Sequence, residues 1–199
     1  MTTVSEQNFP ERRRRVRAEA RRSVSAILDA AVQVLRERPQ ATVEDIATAA
    51  GLSRQTVYAH FPSRDALVAA VYQRMTDEVL AALDEARLDE GPAPEALLRL
   101  LRVSWGAFDR YPALPPPPGA ADVELHQPIF DRLTRLIVRG QRAGEFDPDA
   151  APGWLFAATV ALGHAGWAEV AAGRMSAADA ADAVQAGILR VYGAKQPTA

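Results

Sequence analysis

Cysteine is absent from the 199 residues, which removes disulfides, thiolate zinc sites and cysteine nucleophiles together and fits a reducing compartment. Lysine is almost absent: Lys195 is the one exception among 23 basic residues, the rest being arginine. Histidine is limited to His60, His126 and His164, no two at the helical spacing of a metal pair. There is no G-x-S-x-G elbow and no phosphate-binding glycine loop, and the neighbouring carboxylates Asp147 and Asp149 read as a turn and a helix cap. An enzyme is therefore not expected, nor a metal ion or other cofactor. Long apolar runs are missing as well. The most apolar stretch, residues 153–168, is interrupted by Thr159 and His164, is closed by Glu169, and falls short of the roughly 20 residues that span a bilayer. The first twenty residues hold no apolar run of the kind a secretory signal needs, so the expected location is cytoplasmic and away from membranes.

What is present is enough apolar side chain, 48 % of the residues, to bury the core of one good-sized domain or two small ones. Charge is unevenly placed. Residues 1–65 carry 11 basic and 8 acidic groups, a net +3, whereas residues 66–199 carry 12 and 17, a net −5. Within the first part, residues 1–22 hold seven arginines against three glutamates, five of the arginines in ERRRRVR at 11–17. A positive end on an otherwise acidic chain suits phosphate binding, with the remaining body held off a duplex.

Apolar residues recur at three and four throughout and no alternating strand-like run of useful length occurs, so the fold is expected to be all-α. Residues 1–21 lack such periodicity and read as a flexible basic arm. A helix over 23–38 follows, with Val24, Ile27, Leu28, Ala31, Val34 and Leu35 on one stripe. The stretch TVEDIATAAGLSRQTVYAHFPSRD at 42–65 then spells a short helix, a turn, a second short helix and the start of a third. Thr42 and Asp45 have the spacing of a capping box, Gly51 can take the left-handed conformation that ends a helix, and Ser53 can cap the next. Val57 and Phe61 point inward. Arg54, Gln55 and Thr56 face away, with Tyr58 and His60 on the flanks, the layout of a recognition helix that meets base edges and phosphates. Ser63 can cap the third helix, and Arg64 stands in its first turn, where helix N–H groups favour a phosphate.

The run G-L-S-x-x-T-V-Y-x-H-F-x-S-R-x-x-L closely resembles the DNA-binding segment of the tetracycline-repressor (TetR) family. That resemblance implies base reading by Arg54, Gln55 and Thr56, phosphate contacts from Tyr58 and His60, and a helix-start phosphate clamp at Arg64 and Thr42; Ser53 is counted with this DNA-facing set. The family usually has lysine where Arg64 stands, and arginine differs in being able to bind phosphate bidentately. Taken singly, Tyr58 and His60 could equally shield the core of a three-helix unit. The expected organisation is an arm over 1–21, a helix-turn-helix domain over 22–65 and a helical ligand-binding and dimerisation domain over 66–199.

In that last part, the third helix continues to about residue 87, making it a mechanical link between the two parts, and further helices are expected over 94–111, 127–143, 150–172 and 176–192. The prolines at 112–118 favour an extended, stiff connection over a partner-binding motif. Residues 151–190 contain 14 alanines, and the first of the two helices there is apolar nearly all round, which calls for cover by a second subunit. The resemblance likewise implies a homodimer through the last two helices, and two recognition helices related by a two-fold axis would read a palindrome. It also implies a small-molecule pocket, for which Trp105, Phe108, Tyr111, Phe130, Trp154, His164 and Trp167 are the candidates, an aromatic set suited to an apolar or aromatic ligand; each alone is better explained as core. The functional expectation is a ligand-responsive regulator, a repressor by family habit. The alternative is a DNA-binding protein without a ligand, architectural or tethered to another protein.

Arg12, Arg13, Arg14, Arg15 and Arg17 are the arm's candidate DNA contacts. Removing residues 1–17 is expected to weaken duplex binding and to flatten the dependence of log K on log salt. Titrations at several salt concentrations check this, and an unchanged affinity and slope would rule out the arm's role.

Overall fold

The computed structural model describes residues 9–111 and 120–194, without the side chains of residues 9–11, 13, 108, 109 and 120–126. The first eight residues of the arm, the proline run, and the side chains of Arg13 and Phe108 thus lie outside the described residues. Among those described there are eight helices and no strand: α1 Phe9–Glu37, α2 Val43–Ala49, α3 Arg54–His60, α4 Arg64–Glu85, α5 Ala93–Arg110, α6 Ala120–Arg142, α7 Pro152–Ala171 and α8 Ala177–Val191. No helix among them is long and apolar enough to cross a membrane.

The chain divides into two compact units within α4, the first running to Tyr72 and the second beginning at Gln73. In the first, α2 packs on α1 and α3 on α2. Ile27, Ala31, Leu35, Ile46, Val57 and Leu67 form its interior, none more than 0 % exposed. In the second, α7 packs along α8, α6 touches both α5 and α7, and α5 touches α8. Leu83, Leu97, Ile137, Phe146, Leu155, Ile188 and Tyr192 are its most deeply buried large side chains.

Two helix starts differ from the sequence reading. Helix α1 begins at Phe9 rather than near residue 23, so residues 9–21 are helical where a flexible arm was expected. Arginine and glutamate are good helix formers even without an apolar stripe, and Arg15 pairs with Glu19 one turn on at 3.2 Å. Helix α6 begins at Ala120 rather than near 127 and passes through Pro128; a proline there removes one backbone donor and need not end the helix when the turns on both sides persist. The proposed cap at Asp147 or Asp149 is also different. Helix α7 has Ala151 as N-cap and Pro152 in its first turn, while the Asp147 carboxylate accepts from the Asp149 N–H at 2.9 Å within the turn.

That turn is tied down by packing. The Phe146 ring lies edge-on to Tyr192, centroids 5.0 Å apart, and the Asp147 N–H donates to the Tyr192 carbonyl at 2.9 Å. Gly140 makes room for the ring. A Cβ there would stand 2.5 Å from Phe146 Cε2 and 2.9 Å from Ala93 Cβ, whereas one at Gly106 would meet nothing within 4 Å. Gly140→Ala is therefore expected to destabilise by about 1–3 kcal/mol through overpacking. Gly106→Ala should instead stabilise by up to about 1 kcal/mol through helix propensity. Urea midpoints of the two variants check the opposite signs.

Candidate nucleic-acid interface

The interface is built from short helices whose ends are chemically specified. At α2, the Thr42 hydroxyl accepts from the Asp45 N–H at 3.2 Å while the Asp45 carboxylate accepts from the Thr42 N–H at 2.8 Å and from its hydroxyl at 2.7 Å, a complete capping box. These bonds hold the Asp45 carboxyl below its ordinary value, the Thr42 hydroxyl contributing most and the Thr42 N–H next. The turn that follows has Gly51 at φ 66°, a conformation side chains other than glycine adopt with strain. Ser53 then caps α3, its oxygen accepting from the Thr56 N–H at 3.1 Å. At α4, Ser63 Oγ accepts from the Ala66 N–H at 3.0 Å.

This framework turns Val57 fully inward and leaves Arg54, Gln55 and Tyr58 exposed on α3. Thr56 and His60 are half-buried. The Ser53 and Thr56 hydroxyls share a hydrogen bond at 2.8 Å, and the His60 ring is tilted against Phe61, centroids 6.4 Å apart. Arg54 is engaged on two sides. Its Nη1 is paired with the Glu44 carboxylate on α2, and its guanidinium lies 5.3 Å from the centre of the Tyr58 ring. Glu44 was not among the residues singled out in the sequence, because nothing local links positions ten apart on different helices.

Arg64 is also engaged within the protein. Its Nε donates to the Ala41 carbonyl at 3.1 Å and its Nη2 to the Pro39 carbonyl at 2.5 Å, so two of its donors hold the loop that leads into the Thr42 cap. Of the arm, Arg12, Arg14, Arg15 and Arg17 are exposed along the start of α1.

The pocket candidates of the second unit are only partly brought together. Trp105 on α5 meets Trp167 on α7 edge-on, with centroids 6.3 Å apart, and Gly166 leaves space for the Trp105 ring, which would lie 3.3 Å from a Cβ there. Phe130 on α6 packs edge-on against Phe156 on α7 at 4.5 Å, a partner the sequence reading had not selected. All four rings are partly exposed rather than sealed in the core. Tyr111 is buried at the end of α5, with the Glu78 carboxylate beside its hydroxyl. Burial, and after it the neighbouring Glu78 carboxylate, pushes its pKa up to about 12. Trp154 is not gathered with the others and lies on the exposed side of α7 with 64 % of its surface open; His164 is exposed on the same helix. Trp154 is thirteen positions from Trp167 on the same helix, roughly 20 Å along its axis.

A capped helix-turn-helix joined to a helical second unit with an aromatic interior edge defines the class of helical DNA-binding regulators. The family model described as bacterial regulatory proteins, tetR family, matches residues 27–71. The transcriptional repressor LfrR of Mycolicibacterium smegmatis is 36 % identical over 149 residues, which make up 73 % of this chain and 78 % of LfrR. The chain belongs to the TetR family of bacterial regulatory proteins. The regulator EthR of Mycobacterium tuberculosis is 37 % identical over 112 residues, 54 % of this chain and 51 % of EthR. Among solved structures, LfrR in complex with proflavine superposes with a TM-score of 0.61 at 27 % identity, covering 89 % of this chain and 99 % of LfrR. The fatty acid degradation regulator FadR of Bacillus halodurans shares the fold with a TM-score of 0.70 at 19 % identity, covering 83 % of this chain and 97 % of FadR.

The capping box makes a measurable prediction. Since the Asp45 pKa is depressed, its contribution to stability is present above the unfolded value and is lost as pH falls through the folded one. Thr42→Ala should raise the Asp45 pKa toward 3.8, read by NMR titration. Loss of the Thr42 cap should lower stability at pH 7 by about 1 kcal/mol. An Asp45 that titrates as in the parent protein would mean the box does not persist in solution.

Proposed function

We propose that this protein is a ligand-responsive transcriptional repressor that binds a palindromic operator as a homodimer and is released by a small apolar or aromatic ligand. The observation that carries the DNA-binding part is the α3 surface: Arg54, Gln55 and Tyr58 exposed over a buried Val57. In this reading Arg54, Gln55 and Thr56 meet base edges. Thr42, Ser53, Tyr58, His60 and Arg64 contact phosphates, and the arginines at the start of α1 add affinity with little sequence information.

The dimer is supported by α7. Trp154, Ala157, Val160, Ala161, His164, Ala165 and Ala168 are all exposed at helical spacing, an apolar strip with no charged residue in it, and Val191 adds an exposed apolar side chain on α8. A second copy related by a two-fold axis would cover such a strip with its own equivalent. The ligand part is supported by the partly exposed Trp105, Trp167, Phe130 and Phe156 rings, and by LfrR, which has been solved with proflavine bound. Repression follows the name of the same relative.

Control then works as a population shift. A ligand that binds the dimer about 100-fold better when the recognition helices are out of step with the operator supplies about 2.7 kcal/mol toward release. Helix α4, which starts beside the reader and ends in the second unit, is the element through which the shift is transmitted.

Selection from a random duplex pool is expected to recover an inverted repeat with half-sites about one helical turn apart. The DNA-free protein should be a dimer in sedimentation at micromolar concentration and a monomer when Trp154 and Val160 are both changed to Glu. Proflavine should quench its tryptophan fluorescence saturably, measured without DNA because a planar cation also stacks in duplexes. Recovery of unrepeated sequence by a monomeric protein would overturn the dimer reading, and an unresponsive fluorescence the reading of an aromatic ligand of this kind.

A further inference from the structure

The exposed face that carries Arg54, Gln55 and Tyr58 also carries a carboxylate, Glu44, and an acid there needs a reason. Phosphates repel it, so its presence weakens the non-specific attraction on which all duplex binding draws. As a stabilising feature the Arg54–Glu44 pair contributes little, since both side chains are about 60 % exposed and solvent screens such pairs. What the pair does accomplish is geometric. An arginine has four side-chain torsions, and a free one on a helix surface samples many orientations. Here the guanidinium is held from two sides, by the Glu44 carboxylate across the helix-helix junction and by the Tyr58 ring one turn further along α3. The grip on Glu44 uses Nη1 alone. The Tyr58 side chain engages the guanidinium as well, and the rest of the five N–H groups of the fork can meet the two acceptors, O6 and N7, that guanine offers in the major groove.

We propose that Glu44 is a specificity-determining residue of the DNA interface: it fixes the orientation of Arg54, so that this arginine selects guanine at one position of each half-site. The inference rests on the DNA-binding reading above and deepens it. Glu44 itself need not touch a base. It limits the arginine to one presentation, in which a guanine satisfies both donors and any other base leaves one unpaired, and it removes the alternative in which Arg54 swings onto a phosphate and binds every sequence alike.

The test uses the full chain and the variants Glu44→Gln, Glu44→Asp and Arg54→Ala, with each protein's preferred sequence selected from a random pool and its affinity measured for that sequence and for random duplex. Glu44→Gln removes the charge, and Glu44→Asp keeps the charge but withdraws it by one methylene. Both are expected to lose preference at the same single position that Arg54→Ala affects, with a drop of roughly tenfold or more in discrimination there. The other positions should stay as in the parent protein. The double variant Glu44→Gln/Arg54→Ala should discriminate no worse than Arg54→Ala alone. Folding of each variant is checked by its thermal transition and by retained binding to random duplex. Preference left intact in Glu44→Gln, with affinity raised evenly for all sequences, would make Glu44 a mere repulsive charge and overturn the proposal. So would Glu44→Asp behaving as the parent. A parent protein that recovers no preferred sequence at all would overturn the DNA-binding reading and this inference together, whereas the other two results overturn only the inference.

Discussion

Val57 has no exposed surface, and the α3 surface proposed to meet DNA depends on that burial. Helices of seven residues, the length of both α2 and α3, are too short to persist alone, because nucleation is costly and few hydrogen bonds follow. They exist here because Val43, Ile46 and Ala47 from one, and Val57 from the other, are removed from water where α2 packs on the long α1 and α3 packs on α2. The caps at Thr42, Ser53 and Ser63 then set where each helix begins, and Gly51 sets the angle of the turn. With the core in place, the outward direction of Arg54 and Gln55 follows from the 100° step of the helix.

In the second unit the corresponding anchor is Tyr192. It is fully buried at the end of α8, edge-on to Phe146, with its hydroxyl 2.8 Å from Thr159 on α7. Burial pushes its pKa up to about 12, so the phenol stays neutral and available as a hydrogen-bonding group through the ordinary range of pH. The same residue therefore ties α8 to α7 and to the turn after α6. This leaves the opposite side of α7, with its small residues and Trp154, without cover within the described residues. The open apolar strip and the half-open aromatic rings are the features on which the proposed dimer and ligand site rest.

Features written in residues up to four apart were legible in the sequence. The capping box, the Ser53 and Ser63 caps, and the glycine ending α2 at Gly51, with its positive φ, lie where the spacing put them, because each involves only local geometry. The early starts of α1 and α6 were not, since apolar periodicity reports the buried face of a helix and is silent where a helix runs on without one. Nor was the sorting of the aromatic residues. Trp105 and Trp167 meet while Trp154 faces outward, and an apolar-all-round helix such as α7 gives no periodic clue as to which side is the inner one.

By itself, the sequence determined the all-helical class, the helix-turn-helix with its caps, and membership of the TetR family, because those reside in local chemistry and in one dense run of residues. Only the tertiary structure decided what the charged side chains do. Arg54 is paired with Glu44 ten residues away, and Arg64 holds the carbonyls of Pro39 and Ala41 more than twenty residues back. Such partners are chosen by how helices pack against one another, and that geometry is a property of the assembled core rather than of any stretch of chain.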